Sequence, residues 1–462
     1  MADRRQRGRV VAALFFFPRG GSAFVARSLC RALPAAGWNA TLVSGSLGRR
    51  GDPGCAETFF RGIDVRPFRY RVGPEPLSPP SYETAAELAF PAVDDVAYER
   101  LVAAWGHALG AAGAATASVL HLHHLTPVHE AALRFFPDVP VVSHLHGTEL
   151  AMLRAIETTP PPAWRYAARW RQRLRQWARA SAALVCLPAT SDEAAVLLGV
   201  GPARLESLPN GVDPELFSRR PLSGTSRLAF WRHWLVEDPR GWDESGVPGT
   251  VAYEQADLTP FREAAAVLIS AGRFLAVKRI DLLVRAHQRA KEQSPRPAPL
   301  VLVGGYPGEW EGPHPLRVIR QTGARDVFLA GWRPHRKMPL AFNAADLLVF
   351  PSAGDSFGLP LVEAAACGVP AIATAVGGPA EIVRDGETGW LVPPDDEAAL
   401  ARAIVEAVAN PRERRQRGER ARAESAGRFA WTVIAASLGS LFDEVCRSHA
   451  ASARPRAKAQ PL

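Results

Sequence analysis

A chain of 462 residues with 47% hydrophobic and 22% charged content is long enough for two globular domains, each with its own core. No apolar run approaches the roughly 18 to 20 residues that span a bilayer, which excludes a transmembrane helix. The net charge of +9 would attract any anion, and because arginine replaces lysine nearly everywhere it singles out no partner.

The first patterned segment follows Arg4, Arg5, Arg7 and Arg9 and runs VVAALFFF from Val10 to Phe17. It lacks a small-residue cleavage site and enters Pro18-Arg19-Gly20-Gly21, so it reads as a buried strand rather than a signal peptide. A cytoplasmic location is the resulting expectation. Ser22 to Ala36 then shows helical spacing through Phe24, Leu29 and Leu33 and closes at Gly37. Further strands are expected at Ala40 to Ser44, Ser118 to Leu122, Val139 to Ser143 and Ala183 to Leu187, with a Pro-rich surface loop between Val72 and Pro80.

A second strand series occupies Ala266–Ala271, Leu300–Val303, Val327–Leu329, Leu347–Phe350, Ala371–Thr374 and Trp390–Val392. Strands alternating with helices imply α/β domains with parallel sheets covered on both faces. The expected organisation is residues 1–217, an ordered insertion at 218–262 near the junction, and a second domain at 263–430. A C-terminal helix at 431–447 packing back on the first domain and a disordered tail at 448–462 complete it. The insertion carries Trp231, Trp234 and Trp242; an acceptor-side wall, a dimer contact and a purely structural excursion all fit that composition.

Cys30, Cys55, Cys186, Cys367 and Cys446 are far apart and form no CxxC or Cys/His pair, so reduced thiols and no structural zinc are expected. From Trp164 to Arg179, Trp164, Ala167, Trp170, Leu174 and Trp177 form one helical stripe among six arginines. That stripe either packs on the first sheet or makes a weak peripheral contact with the inner face of a membrane. No nucleic-acid-binding module accompanies the positive charge.

The segment Phe350 to Pro394 is the richest in chemistry. It leaves a buried strand and enters a helix near Gly358, whose free N–H groups would suit phosphate oxygens. Asp355 precedes that helix and Glu363 follows eight positions later, so the two carboxylates can serve a sugar hydroxyl and a ribose; the alternative is a capping Asp355 and a solvated Glu363. Arg273 and Lys278 follow another strand, where two cations suit a diphosphate leaving group or, equally, structural ion pairs. In the first domain, His144, His146 and Thr148 lie just past a strand, with His121, His123, His124 and His129 nearby in sequence. These imidazoles can bond sugar hydroxyls, a phosphate or the fold itself; no HExxH pattern or acidic partner at ligand spacing supports a metal.

Together, GRFLAVKRIDLLVRA, LVGG at Leu302–Gly305, AADLLVFPS, DSFGLPLVEAAACGVPAIAT and GGPAEIVRDGETGWLV resemble the retaining GT-B glycosyltransferases of family 4. FPRGG, HLHG and LPNGVDPELF extend the likeness more loosely through the N-terminal half. The resemblance implies two facing Rossmann-like domains that close on a nucleotide-sugar donor, with retention of configuration and no metal or other cofactor. It implies that Arg273 and Lys278 bind the donor diphosphate and Glu363 the ribose. Asp355, with the backbone of Ser356, Phe357 and Gly358, would hold the transferred sugar, Gly21 would let backbone approach the donor, and His146 would touch the sugar near the reacting carbon. The family usually has Glu where Asp355 stands, which bears on which sugar fits. A nucleotide-sugar epimerase, a sugar phosphorylase and a non-catalytic sugar-nucleotide-binding protein share the architecture. The acceptor is not named by any of these residues.

Overall fold

The computed structural model describes residues 7–15, 21–46, 55–69, 77–78, 88–294 and 296–453. The chain divides into two compact units, one formed by Met1–Asn210 with Trp431–Leu462 and the other by Gly211–Ala430.

In the first unit the strands are β1 (Gly8–Leu14), β2 (Trp38–Gly45), β3 (Asp64–Phe68), the two-residue β4 (Leu77–Ser78) and β5 (Leu88–Ala89), then β6 (Val119–His123), β7 (Val141–His144), β8 (Ala183–Cys186) and β9 (Leu205–Ser207). Seven of them form one parallel sheet in the order β3-β2-β1-β6-β7-β8-β9, while β4 and β5 pair separately. β1 is apolar from Val10 to Leu14, the stretch that is covered on both faces. Val11 and Ala13 enter one core, and Val10, Ala12 and Leu14 enter the other. The expected strands are all present. Phe16 and Phe17 lie outside the described residues, as does all of the Val72–Pro80 loop except Leu77 and Ser78, which are strand rather than loop. The edge strands β3 and β9 went unread because DVRPF and LES are only half covered and hold no apolar run.

The helix expected after β1 runs Gly21–Ala32 and continues as a tighter turn to Ala36, where Gly37 at φ 87° ends it. The helix Ala167–Ala180 buries Trp170, Leu174 and Trp177 completely, with Trp170 packed against Phe90 at a ring separation of 5.0 Å. Trp170, Leu174 and Trp177 of the expected stripe are thus committed to the core. No helix among the described residues is long and apolar enough to cross a membrane.

The C-terminal helix spans Trp431–Ala453, six residues past the expected end at 447. Its Ile434, Leu438, Phe442 and Val445 join the core on the β1 face of Val10, Ala12 and Leu14, and His449 Nε2 lies 2.9 Å from the Asp138 carbonyl, which keeps the last turns ordered. Residues past 453 are outside the described set.

The second unit contains β10 (Leu268–Gly272), β11 (Leu300–Gly304), β12 (Val327–Gly331), β13 (Leu347–Phe350), β14 (Ala371–Thr374) and β15 (Gly389–Val392). They form one parallel sheet in the order β12-β11-β10-β13-β14-β15. Residues 211–217, expected in the first domain, belong here: Val212 N donates to Phe429 O at 2.7 Å and Phe217 packs on Phe342.

The insertion belongs wholly to this second unit. Trp231 and Trp242 are fully buried and donate to the carbonyls of Ala344 and Gly305, both at 3.1 Å. Tyr253 Oη accepts the Leu329 N–H at 2.8 Å. The insertion therefore covers the β12 edge, which explains why every residue of an edge strand, VFLAG, is buried.

Candidate functional site

Strand order reverses in the second unit between β10 and β13, and open parallel sheets offer a ligand crevice at the carboxyl ends of such neighbours. Arg273 lies exposed one residue past β10, and Lys278 ends the turn Ala276–Lys278. Asp355 sits in the loop between β13 and the helix Leu359–Ala366. The two loops are laced together: Ala353 N and Ser352 Oγ donate to the Val277 carbonyl at 2.8 and 3.2 Å. Lys278 Nζ forms an ion pair with Asp355 Oδ2 and stands 4.9 Å from the centre of the Phe350 ring. Asp355 does not cap the helix; that position is taken by Gly358, at φ 97°.

The Asp355–Gly358 loop is held from behind. Asp355 O accepts Gly378 N at 2.9 Å, and a Cβ at position 378 would lie 2.2 Å from the Phe357 Cα, so only glycine allows this approach. Ser356 is half-buried, while the Phe357 side chain is buried beside Phe429 at 5.9 Å.

Glu363 is not solvated. It is 7% exposed and its Oε1 lies 2.6 Å from His335 Nε2, a partner the sequence reading missed. A buried carboxylate needs such a donor. Nothing in GWRPHRKM marked His335, because its pairing depends on β12 and the helix after β13 being brought together.

In the first unit, Gly21 is exposed at the start of its helix, and Phe17–Gly20 of the FPRGG motif lie outside the described residues. The pairing of β6 with β7 sets His121 against Val142 and His123 against His144. His121 Nε2 is 3.2 Å from His144 Nδ1, and His123 Nδ1 is 2.9 Å from His146 Nε2. Glu149, on the helix Thr148–Thr158, accepts the His146 backbone N–H at 3.0 Å and lies 3.3 Å from His124 Nδ1. His129 is turned away onto Ser143 Oγ at 2.8 Å. Sequence spacing offered no convincing ligand set, but the fold does bring three histidines together. Nitrogens of His121, His123 and His144 lie within 4.8 Å of one another, because adjacent strands converge where sequence spacing does not. Burial pushes His121 and His129 down to about 3. His123, His144 and His146 are likewise held well below 6.5, first by burial and then by neighbouring imidazoles, so the cluster is neutral at physiological pH.

Residues 254–424 match the family model described as Glycosyl transferases group 1, and residues 19–216 match Glycosyltransferase Family 4. The chain belongs to this glycosyltransferase family.

Among curated relatives, a D-inositol 3-phosphate glycosyltransferase of Stackebrandtia nassauensis is 32% identical over 327 residues, covering 68% of this chain and 65% of the relative. A glycogen synthase of Mycobacterium tuberculosis is 27% identical, covering 70% and 68%. The alignment spans less than two thirds of each of the first three relatives, at 65%, 43% and 54% of their lengths. Sucrose-phosphate synthase from Thermosynechococcus elongatus shares the fold with a TM-score of 0.65 at 21% identity, covering 96% of this chain and all of that one. Anabaena HepE, solved with UDP and glucose, has a TM-score of 0.63 at 18% identity and covers 95% and 100%. The family's GT-B architecture agrees with the two parallel α/β units.

Proposed function

We propose that this glycosyltransferase moves a sugar from a nucleotide-diphosphate-sugar to a nucleophilic acceptor, with retention of anomeric configuration. The observation that carries the reading is the convergence of Lys278 and Asp355 at the β10/β13 reversal, with Glu363 buried on the following helix. Arg273 and Lys278 bind the diphosphate and offset the charge that grows on it as the glycosidic bond breaks. Asp355 and the backbone of Ser356, Phe357 and Gly358 hold hydroxyls of the transferred sugar, and Glu363 binds the ribose. Gly21 allows backbone to approach the donor, and His146 acts as a neutral hydrogen-bonding contact to the sugar.

The Lys278–Asp355 pair gives these roles a physical basis. When donor enters, the ammonium exchanges its carboxylate for diphosphate oxygens, and the released carboxylate becomes available to sugar hydroxyls. The acceptor attacks from the face the diphosphate leaves, and the leaving diphosphate takes up the acceptor proton. The two cations supply the leaving-group stabilisation that a metal ion would otherwise provide.

The relatives' names, an inositol 3-phosphate glycosyltransferase and a glycogen synthase, favour a hydroxyl-bearing acceptor. A thermal-shift panel of UDP, GDP, ADP and their sugar conjugates against wild type and Glu363→Ala tests the donor reading. A ligand at about 100 times its Kd stabilises the folded state by roughly 2.7 kcal/mol. A shift with one nucleotide that disappears in the variant supports the assignment, and no shift with any of them removes it.

A further inference from the structure

The insertion does more than cover a sheet edge, because it grips the one loop that delivers a partner to Glu363. Arg333 is 6% exposed, two residues past β12, and its guanidinium is held almost entirely by the insertion. Nη1 donates to Asp238 Oδ2 at 2.7 Å, and Nη2 donates to the carbonyls of Trp234 at 2.7 Å and Asp238 at 2.6 Å. The guanidinium carbon stands 4.6 Å from the centre of the Trp234 ring. At the start of the same loop Gly331 has φ 66°, and a Cβ there would fall 1.8 Å from the Arg240 carbonyl, so backbone of the insertion lies directly against it. Two residues beyond Arg333, His335 reaches Glu363 Oε1 at 2.6 Å with its ring beside Phe217 at 5.1 Å.

We infer that the 218–262 insertion is a working part of the nucleoside subsite: it clamps Arg333, which fixes His335 as the positioning residue that orients the Glu363 carboxylate toward the donor ribose. The inference rests on the donor reading above. A planar guanidinium bonded along two edges defines the loop's direction in a way a single bond would not. The short His335–Glu363 contact, with the carboxylate itself buried, then leaves that carboxylate little rotational freedom. Orientation of this kind acts on binding of the nucleoside and leaves the chemistry of bond cleavage alone, so it appears in donor KM rather than in kcat.

The test compares wild type, His335→Ala, His335→Gln and Arg333→Lys in titrations with UDP, GDP, ADP and inorganic pyrophosphate, together with donor KM and kcat. Arg333→Lys keeps the buried charge opposite Asp238, and His335 is partly exposed, so the histidine variants keep the test open should the arginine variant misfold. The expected result is a loss of about tenfold in nucleotide affinity for His335→Ala, recovery in His335→Gln, and a loss in Arg333→Lys. Pyrophosphate affinity and kcat stay at wild-type values. If wild type binds a nucleotide and His335→Ala binds it equally well, or if pyrophosphate affinity falls in parallel, the inference is overturned while the donor reading stands. If wild type binds none of the nucleotides, both fall together.

Discussion

Lys278 and Asp355 are separated by 77 residues in the chain and joined by an ion pair at the carboxyl edge of the second sheet. The pair marks where the two loops meet. It also holds each proposed donor-binding group in place.

Removing the cation should therefore damage turnover more than folding. Lys278→Ala is expected to lower kcat/KM by about 10²- to 10³-fold, the range for losing one charge-stabilising donor. The two side chains are 17% and 22% exposed, so the unfolding free energy should fall by about 1 to 3 kcal/mol. Initial rates and a urea titration of the same sample separate the two effects.

Gly378→Ala tests the loop rather than its charges. The new methyl would fall 2.2 Å from the Phe357 Cα and 2.4 Å from its carbonyl oxygen, so the Asp355–Gly358 loop must move. We expect at least a tenfold rise in donor KM with a lowered Tm. Wild-type kinetics would show that the loop does not hold the sugar.

The histidine cluster makes stability fall in acid. His121 and His129 are near 3 in the folded protein, against 6.5 without burial, and His123, His144 and His146 are displaced the same way. Between those limits the unfolded chain binds more protons than the folded one, so the unfolding free energy drops as pH is lowered from about 6.5 toward 3 and is flat above it with respect to these groups. Urea midpoints at pH 4, 5, 6 and 7 should rise in that order, and His121→Phe should flatten the slope.

Metal independence of the transfer is checked by dialysis against EDTA, with rates expected to stay at the untreated value. A loss that a divalent ion restores would move metal into the reaction, with His121, His123 and His144 as the first ligands to substitute.

Much of the fold was legible because parallel strands covered on both faces are built largely from apolar residues. VVAAL, LISAG, LVLVG and LLVF announced themselves in this way. The candidate donor residues were legible for a different reason: Arg273, Lys278 and Asp355 lie in loops after strands and Glu363 on the helix that follows, all within ordered blocks that resemble a family. Edge strands β3 and β9 escaped, since half-exposed strands need no apolar run. The stripe from Trp164 to Trp177 allowed two readings from its periodicity, and only the burial of Trp170 and Trp177 selected the core.

The sequence by itself determined two α/β units, their apolar inner strands and the residue types available at the ends of β10 and β13. Tertiary structure alone decided the partnerships: Lys278 with Asp355, His335 with Glu363, Arg333 with Asp238, and the convergence of histidines from β6 and β7. The reason lies in strand order. β10 lies beside β13, which brings Lys278 to Asp355, the insertion runs along the β12 edge beside Arg333, and β6 pairs with β7, so each partner comes from a separate stretch of chain that no local spacing records.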